Sequence, residues 1–322
     1  MSRRILVTGG AGYVGSIVVH ELLSRGYRVR ALDVLLHGSV PSLLESWGDR
    51  QFEFRAGDVR DPAVRQSAVE GVQAVVHLAA IVGDPACARR PDLAREVNLD
   101  ATRALLQDAE RAGVEQFVFA STCSNYGRMT GDDLADEECE VSPVSLYAET
   151  KVAAELEVLS GTNGLARTCL RFATVYGTSP RMRFDLTVNE FTRDLAVKDE
   201  LVVFGEQFWR PYVHVRDAAA AIADVLEAPR AQVAGEVFNV GATTENYRKL
   251  DLVEMLRGRF TGASVEFVHR DEDPRDYRVS FDKVSRALGF TPQHSVEDGI
   301  DEVLALLRSG LIEDPYAASY RN

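Results

Sequence analysis

The chain has 322 residues, 46% of them hydrophobic, which allows one large or two modest domains with a well-filled core. Its formal net charge of −13 argues against a nucleic-acid partner, because a duplex-binding protein needs a basic face to displace counterions. The longest apolar run, at 75–82, is far shorter than the roughly 20 residues that cross a bilayer. We therefore expect neither nucleic acid nor a membrane as a partner.

The start of the chain and the cysteines indicate the compartment. Met-Ser-Arg-Arg passes directly into a predicted strand and leaves no room for a cleavable signal, so we expect a cytoplasmic protein. The cysteines show no paired short spacing, which favours reduced and mostly buried thiols over a disulfide or a zinc site. These cysteines are Cys87, Cys123, Cys139 and Cys169. We also expect no bound metal.

The first predicted elements are a buried strand at 4–8 and a helix at 13–24, with glycines at three-residue spacing between them and into the helix. Gly9 permits a tight turn after the strand. Gly12 lets a pyrophosphate approach the N-terminus of the helix, and Gly15 lets the helix pack close to the strand. The pattern is typical of a dinucleotide site, although glycine-rich turns also arise by chance.

The second predicted strand, at 28–32, supplies the structural context that this motif needs. It ends in Asp33, near the spacing of about 20 residues at which an acid holds the ribose diol of adenosine. The residues that follow Asp33 carry no positive charge that would attract a 2′-phosphate. We therefore expect NAD to be preferred over NADP.

Strands and helices then alternate, which predicts an α/β fold with a doubly wound parallel sheet. Beyond Tyr176 the alternation becomes irregular and a looser segment begins at 181–183, so we infer a smaller, discontinuous α/β lobe. The predicted boundaries are 1–175 and 212–242 for the dinucleotide-binding domain, and 176–211 and 243–322 for the lobe. The remaining predicted strands are 52–56, 74–78, 116–121, 165–172, 201–204 and 236–239, and the helices are 62–69, 92–112, 143–160, 215–227, 248–260 and 296–308.

Tyr147 and Lys151 are four residues apart in a predicted helix, which places both side chains on one face. A lysine ammonium there would favour the phenolate and prepare the tyrosine for acid or base chemistry. The same spacing is common on solvated helices. The preceding strand, however, ends in Ser121 and Thr122, and so brings a hydroxyl to the carboxyl edge of the sheet, where such folds bind ligands.

Taken together, these motifs resemble the extended short-chain dehydrogenase/reductase family, especially its nucleotide-sugar epimerases, dehydratases and ketoreductases. The resemblance covers nearly the whole chain. It implies a Rossmann-type sheet, an NAD cofactor, a nucleotide-diphosphate sugar substrate and a homodimer that pairs the helices at 92–112 and 143–160. It rests on the glycine-rich turn at 8–15, Asp33, Gly57-Asp58-Val59, His77-Leu78-Ala79-Ala80, Asn98, the segment 121–127, Tyr147 with Lys151, Arg171-Phe172 and Val175-Tyr176-Gly177.

The resemblance also implies roles for individual residues. Tyr147 would be the catalytic base, Lys151 would hold the nicotinamide ribose, and Thr122 would be the catalytic hydroxyl. Tyr147 and Lys151 would therefore also contact the cofactor. Its other contacts would be Gly9, Gly12, Tyr13, Val14, Asp33, Asp58, Val59, Leu78, Ala79, Ala80 and Asn98.

The substrate half resembles the family with some departures. Arg210 lies in a segment similar to the one whose arginine binds the substrate diphosphate. A second arginine is expected before Asp282, but strict alignment falls on Glu272, which leaves Arg275 and Arg278 as candidates.

Four further positions are expected to face the substrate. Thr122 and Ser124 follow the end of a strand, and Thr174 stands where many epimerases carry asparagine. Asn189 and the basic loop at 181–185 would face the nucleotide of the substrate.

The residues after Thr122 narrow the reaction. The 4,6-dehydratases of this family follow that threonine with Asp-Glu, whereas this chain has Cys123-Ser124, so dehydration is disfavoured. In the GDP-sugar branch a cysteine stands two residues after the catalytic serine, where this chain has Ser124, so Cys123 is expected to be structural. We predict an NAD-dependent nucleotide-sugar epimerase. The alternatives are a ketoreductase and a non-catalytic redox sensor, and relatives of the latter kind tend to lose the tyrosine and lysine.

Overall fold

The computed structural model describes residues 3–129, 133–161, 164–270 and 275–322. Glu272, one position considered for the second arginine, lies outside these residues. The strands are β1 (Arg4–Thr8), β2 (Arg28–Asp33), β3 (Phe52–Ala56), β4 (Ala74–His77), β5 (Gln116–Thr122), β6 (Ala166–Phe172), β7 (Thr174–Tyr176), β8 (Glu200–Phe204), β9 (Trp209–His214), β10 (Glu236–Val240), β11 (Asn246–Arg248) and β12 (Ser264–Val268).

The helices complete the alternation, and short 3₁₀ turns lie at Cys123–Tyr126 and Ala318–Tyr320. The α-helices are α1 (Tyr13–Ser24), α2 (Pro41–Leu44), α3 (Pro62–Val69), α4 (Asp84–Arg89), α5 (Pro91–Arg95), α6 (Ala101–Arg111), α7 (Leu146–Leu159), α8 (Thr187–Lys198), α9 (Val215–Glu227), α10 (Arg230–Val233), α11 (Lys249–Arg257), α12 (Asp282–Leu288) and α13 (Val296–Arg308).

Seven parallel strands form the main sheet in the order β3-β2-β1-β4-β5-β6-β10. The predicted α/β, doubly wound fold is therefore confirmed, including the return of the segment after Glu236 to the sheet. The central strands are buried on both faces, which explains why they read as continuous apolar runs. Strand order reverses between β1 and β4, the position where open α/β sheets bind ligands beyond their carboxyl ends.

Two smaller sheets lie outside the main one, in the orders β11-β9-β7 and β12-β8. They pack with α8, α11 and α13 around a separate apolar cluster that includes Tyr176, Phe191, Tyr212 and Ile300. The predicted smaller lobe corresponds to this region, and the exact division of the chain into domains stays a prediction.

Two expectations about helices were wrong. The segment after Arg181 was expected to be loose, yet residues 187–198 form α8, whose Val188, Phe191 and Leu195 are buried on one face. The single helix expected over 92–112 is divided into α5 and α6 by a π-helical turn at Glu96–Asp100.

A buried ion pair joins α7 to the main sheet. Arg171 on β6 donates from Nη2 to Glu155 Oε2 at 2.8 Å, and the two side chains are only 8% and 4% exposed. Arg171 Nη1 also donates to the hydroxyl of Tyr126 at 3.0 Å, and Asn125 donates to Glu155 at 2.9 Å. Hydrogen bonds therefore compensate both charges for the loss of water, as a buried pair requires.

Glu155→Gln is expected to lower the free energy of unfolding by about 3 kcal/mol, because it leaves the Arg171 charge buried without its partner. Chemical denaturation of the purified protein measures this change. The matched control is Glu254→Gln, which removes an exposed pair with Arg257 and should cost less than about 1 kcal/mol. Equal costs for the two variants would contradict the role given to the buried pair.

Candidate active site

A cleft of about 320 Å³ opens where the strand order reverses, a volume typical of small-ligand sites. Gly9 has φ +71° there, and a Cβ at this residue would lie 2.9 Å from the backbone nitrogen of Ala79. A Cβ at Gly15 would lie 2.0 Å from the Gly9 carbonyl oxygen. The turn and α1 can therefore lie this close together only if both positions are glycine. The N-terminus of α1 points into the cleft, where its backbone dipole favours an anion.

Ten of the residues predicted to contact the cofactor line this cleft. The arrangement fits a dinucleotide, because the turn, the acid at the end of β2 and the residues after β4 share one wall. The ten are Gly9, Gly12, Tyr13, Val14, Asp33, Asp58, Val59, Leu78, Ala79 and Ala80.

Asp33 is held rigidly at the far end of the cleft. Its Oδ2 accepts a hydrogen bond from the backbone of Ala11 at 3.0 Å, and its Oδ1 accepts one from the backbone of Leu35 at 2.7 Å. Burial is the main influence on its carboxyl group and raises the pKa, while these hydrogen bonds and the charge of Arg181 act in the opposite direction. The two hydrogen bonds therefore fix the orientation of the carboxylate and offset part of the free-energy cost of burying its charge.

Asn98 does not line the cleft but supports one of the residues that do. It lies in the π-helical turn at Glu96–Asp100 and is 1% exposed. Its side chain accepts from the backbone nitrogen of Ile81 at 2.8 Å and donates to the carbonyl of Ile81 at 3.0 Å. Because Ile81 lines the cleft, Asn98 fixes the shape of the wall through its neighbour.

Tyr147 and Lys151 lie on α7, which begins after Ser145, whose side chain accepts a hydrogen bond from the backbone of Ala148. Burial raises the pKa of Tyr147, so the phenol is protonated near neutral pH. The ammonium of Lys151 donates to the carbonyl oxygen of Ala120 at 2.8 Å. Burial lowers the pKa of Lys151 to about 8.

This geometry corrects one expectation. Lys151 was expected to favour the phenolate of Tyr147, but its hydrogen bond goes to strand β5, and burial dominates the pKa of the tyrosine. Among the charged groups near Tyr147, Arg183 lowers its pKa, although burial has the larger effect.

Thr122 and Ser124 meet beside the end of β5. The hydroxyl of Thr122 accepts from the backbone of Ser124 and donates to the Ser124 hydroxyl, both at 3.1 Å. The hydroxyl of Tyr277 reaches Ser124 Oγ at 3.4 Å, and the guanidinium of Arg210 lies over the Tyr277 ring at 5.6 Å. The structure therefore connects Thr122, Ser124 and Arg210 through Tyr277, which the sequence reasoning missed.

Arg275 crosses from the smaller lobe to the helix that follows β4. Its Nη1 lies 3.2 Å from Asp84 Oδ2, while Asp84 Oδ1 accepts a hydrogen bond from Ser145 at 2.7 Å. Since Ser145 caps α7, this chain of contacts ends two residues before Tyr147. Arg275 is thus placed beside the predicted catalytic helix.

Asn189 is buried against the loop that carries Arg183. Asn189 is fully buried, accepts from the backbone of Gly177 at 3.0 Å and donates to the carbonyl of Arg183 at 2.9 Å. It therefore holds the loop that carries Arg183, and its expected role toward the substrate stays a prediction. Arg181 and Arg183 line the dinucleotide cleft, although their loop was expected to face the substrate nucleotide.

Thr174 lies at the start of β7, half-buried, with Tyr212 as its neighbour on β9. Tyr277 and the cleft-lining position of Arg181 had no usable sequence signal, because both depend on how distant segments meet. In the described parts of the chain, no helix is long and apolar enough to cross a membrane, and no group of side chains suited to a metal ion was found. All four cysteines are free thiols.

Comparison with known proteins identifies relatives along the whole length. A model of the NAD dependent epimerase/dehydratase family matches residues 5–241. A dTDP-glucose 4,6-dehydratase from Streptomyces niveus is 33% identical, and the alignment covers 95% of this chain and 93% of that protein.

Solved structures agree with this result. A dTDP-glucose 4,6-dehydratase from Streptomyces venezuelae, determined with NAD bound, has a TM-score of 0.85 at 30% identity and covers 95% of this chain and 97% of its own. A UDP-glucose 4-epimerase from Thermotoga maritima has a TM-score of 0.85 at 29% identity and covers 96% and 99%. The similar proteins thus include both epimerases and dehydratases.

Asp33 generates a prediction about cofactor choice. Wild-type protein should bind NAD more tightly than NADP, because the carboxylate repels a 2′-phosphate, and Asp33→Asn should narrow that difference by about tenfold or more. Calorimetric titration with each cofactor measures it, with the exposed Asp49→Asn as control. Wild-type protein that binds NADP at least as tightly as NAD would refute the prediction.

Lys151 generates a prediction about pH. Its folded pKa of about 8 lies below its ordinary value of 10.5, so the unfolded chain binds more protons between these pH values. The stability of cofactor-free wild-type protein, relative to Lys151→Met, should therefore rise by up to about 1.4 kcal/mol per pH unit across that window. Urea denaturation at pH 7.5, 8.5 and 9.5 tests it, and a difference that falls with pH would count against it.

Proposed function

This chain belongs to the NAD dependent epimerase/dehydratase family, and from that premise we propose that it is a nucleotide-sugar epimerase. It would invert one carbon of the sugar through a transient ketone. NAD is the cofactor of the family and supplies hydride acceptance and donation when bound. The proposal rests on the dinucleotide cleft beyond the carboxyl ends of the parallel strands, and on the hydrogen bond that joins Lys151, on the helix of Tyr147, to Ala120 near the end of β5.

Tyr147 would exchange a proton with the reacting hydroxyl. Its phenol is protonated in the free protein because burial raises the pKa, so it is ready to act as an acid toward a ketone. To act as a base it must first lose that proton, and the positive charge of Arg183 favours the resulting phenolate. Lys151, which would hold the nicotinamide ribose, is itself held by the carbonyl of Ala120 and by the ring of Phe119, 4.7 Å away.

Thr122 and Ser124 would orient the sugar. Their hydroxyls form one hydrogen-bonded pair that can donate to a sugar oxygen, including the oxygen of the ketone. Arg210 is 6% exposed and belongs to the same group of side chains through Tyr277, so its charge is suited to the substrate diphosphate. Arg275 is the proposed second contact, and Thr174 would complete the pocket.

The residues after Thr122 support epimerisation over dehydration, even though some relatives are named dehydratases. Water loss needs an acid and a base beside the sugar, and these two positions are Cys123 and Ser124. Cys123 is 1% exposed and donates to the carbonyl of Arg171 at 3.1 Å. Burial raises the pKa of the Cys123 thiol well above its ordinary value, so it is unsuited to proton transfer at neutral pH.

The second candidate function is a ketoreductase that consumes reduced cofactor. Thr174 favours it, because many epimerases carry asparagine at that position. Asp33 favours the epimerase, because biosynthetic reductases more often draw on NADPH, which the carboxylate would repel. A non-catalytic redox sensor is disfavoured because both Tyr147 and Lys151 are present.

A homodimer is part of the same proposal. Leu156 on α7 has a large apolar side chain and is 67% exposed. It lies on one of the helices that the family resemblance implies at the dimer interface. Pairing of α7 and α6 with their copies would bury this surface around a two-fold axis.

The deciding experiment incubates purified protein with UDP- and dTDP-hexoses without added cofactor. Sugar stereochemistry is followed by NMR and the nicotinamide by its absorbance. We expect interconversion of epimers with no net change in NADH. In a parallel incubation with a nucleotide keto sugar and added NADH, stoichiometric loss of NADH would establish the reductase instead. Formation of a 4-keto-6-deoxy sugar would establish the dehydratase.

Tyr147→Phe serves as the test of the site within this experiment. It should reduce turnover by about 10² to 10⁴ while NAD binding persists, because it removes only the phenolic hydroxyl that exchanges the proton. Tyr27→Phe, at a tyrosine remote from the cleft that contacts Glu227, is the matched control and should keep wild-type turnover. Retained activity in Tyr147→Phe would reject the assignment.

A further inference from the structure

Arg181 is a buried cation in the wall of the dinucleotide cleft. It lies between β7 and α8 and is 5% exposed. Its Nη2 donates to the side-chain oxygen of Asn322 at 2.8 Å and to the carbonyl of Arg321 at 3.2 Å. Both acceptors are neutral, so these hydrogen bonds satisfy part of the guanidinium without balancing its charge.

Several other buried arginines have a carboxylate in direct contact. Arg65 donates to Asp108 at 2.8 Å, Arg171 pairs with Glu155, and the neighbouring Arg183 pairs with Asp185 at 2.7 Å. Within residues 3–129, 133–161, 164–270 and 275–322, no carboxylate lies within ion-pair distance of Arg181. Burial lowers the pKa of Arg181 only to about 10, so it is charged at neutral pH. A buried charge without a counter-charge costs folding free energy, and an anionic ligand in the cleft would offset that cost.

The surroundings of Arg181 locate this anion. Ser179, two residues earlier, donates to the carbonyl of Tyr13 at 2.7 Å and meets Ser16 at 3.1 Å, which fixes the loop against the first turns of α1. Asp33, at the end of β2, lies close enough to exert an electrostatic effect on Arg181. The guanidinium therefore lines the same cleft as the helix N-terminus, which favours phosphate, and Asp33, the acid suited to the adenosine ribose.

We propose that Arg181 binds the pyrophosphate of the dinucleotide cofactor and that residues 316–322 hold its side chain in place. This inference rests on the assignment of the cleft to NAD and is independent of whether the reaction is an epimerisation. The smaller lobe would thereby contribute a charged contact to the cofactor, in addition to the backbone groups of the glycine-rich turn.

The segment 316–322 is attached to two parts of the protein. On one side, the carbonyl of Asn322 accepts from Arg89 on α4 at 3.2 Å. On the other, its backbone nitrogen donates to Asp185 at 3.2 Å, and the carbonyl of Tyr320 accepts from Phe184 at 2.9 Å. Asn322 itself lines the cleft, so its position and that of Arg181 are set together.

The test compares ligands that differ in their phosphates. Wild type, Arg181→Met, Arg181→Lys and the exposed control Arg286→Met are titrated with NAD, ADP-ribose and adenosine by calorimetry, or by competition for the weaker ligands. Arg181→Met should weaken NAD and ADP-ribose by tenfold or more and leave adenosine within twofold. Arg181→Lys should recover part of the loss because it keeps the charge, and Arg286→Met should match wild type.

Three results would overturn the proposal. Unchanged NAD affinity would show that Arg181 does not contact the cofactor, and an equal loss for adenosine would give it a purely structural role. If NADP is titrated beside these ligands, a loss of affinity confined to NADP would assign the cation to a 2′-phosphate. Thermal unfolding verifies that each variant is folded, and if Arg181→Met does not fold, Arg181→Gln provides the same comparison. This proposal and that of the epimerase can fail separately. A variant can lose NAD affinity while its specificity for the sugar stays normal, and sugar specificity can change while NAD affinity stays normal.

Discussion

The ion pair between Arg171 and Glu155 is the constraint on which the rest of the site depends. It attaches the middle of α7 to β6 in the interior, and one turn earlier on the same helix Lys151 reaches the carbonyl of Ala120 on β5. The first turn is attached separately, through Ser145 and Asp84. Because α7 is held at three points along its length, Tyr147 is positioned by a rigid helix. Precise proton transfer requires such a fixed position.

The dinucleotide cleft and the smaller lobe are joined by hydrogen bonds that pass through the first helix. The hydroxyl of Tyr13 donates to the carbonyl of Gly177 at 2.7 Å, and the side chain of Asn189 contacts both. These contacts are buried, so water competes little with them. The loop that carries Arg181 and Arg183 is consequently positioned by the same helix whose N-terminus faces the cleft, and a ligand bound there meets both parts of the protein.

The elements of the main sheet could be predicted because local and global preferences agree. β1, α1, α3, α9 and α13 have the predicted bounds, since buried strands are continuous apolar runs and the helices show regular apolar spacing. β7 and β11 are three residues long and carry too little pattern to recognise. Helix α8 had a signal that was overlooked, because Val188, Phe191 and Leu195 follow helical spacing.

For the candidate site, sequence reasoning succeeded where a motif contains its own geometry. The glycine-rich turn and Asp33 share one wall because consecutive parallel strands end at the same edge. Tyr277 and Arg181 could not be assigned this way, because each meets its partners through contacts between segments more than a hundred residues apart. The pKa of Tyr147 also depends on burial, which neighbouring residues in sequence do not reveal.

The π-helical turn at Glu96–Asp100 has a consequence for how this chain can change. Such a turn holds one residue more than an α-helical turn, as if a single residue had been inserted into a continuous helix. Deleting one residue would restore a regular helix from Pro91 to Arg111, at the cost of rotating one half against the other by about 100°. Asn98 would then lose both hydrogen bonds to Ile81. A gap in this segment of a related sequence would therefore mark a protein with a differently shaped cleft, even where all its other motifs are intact.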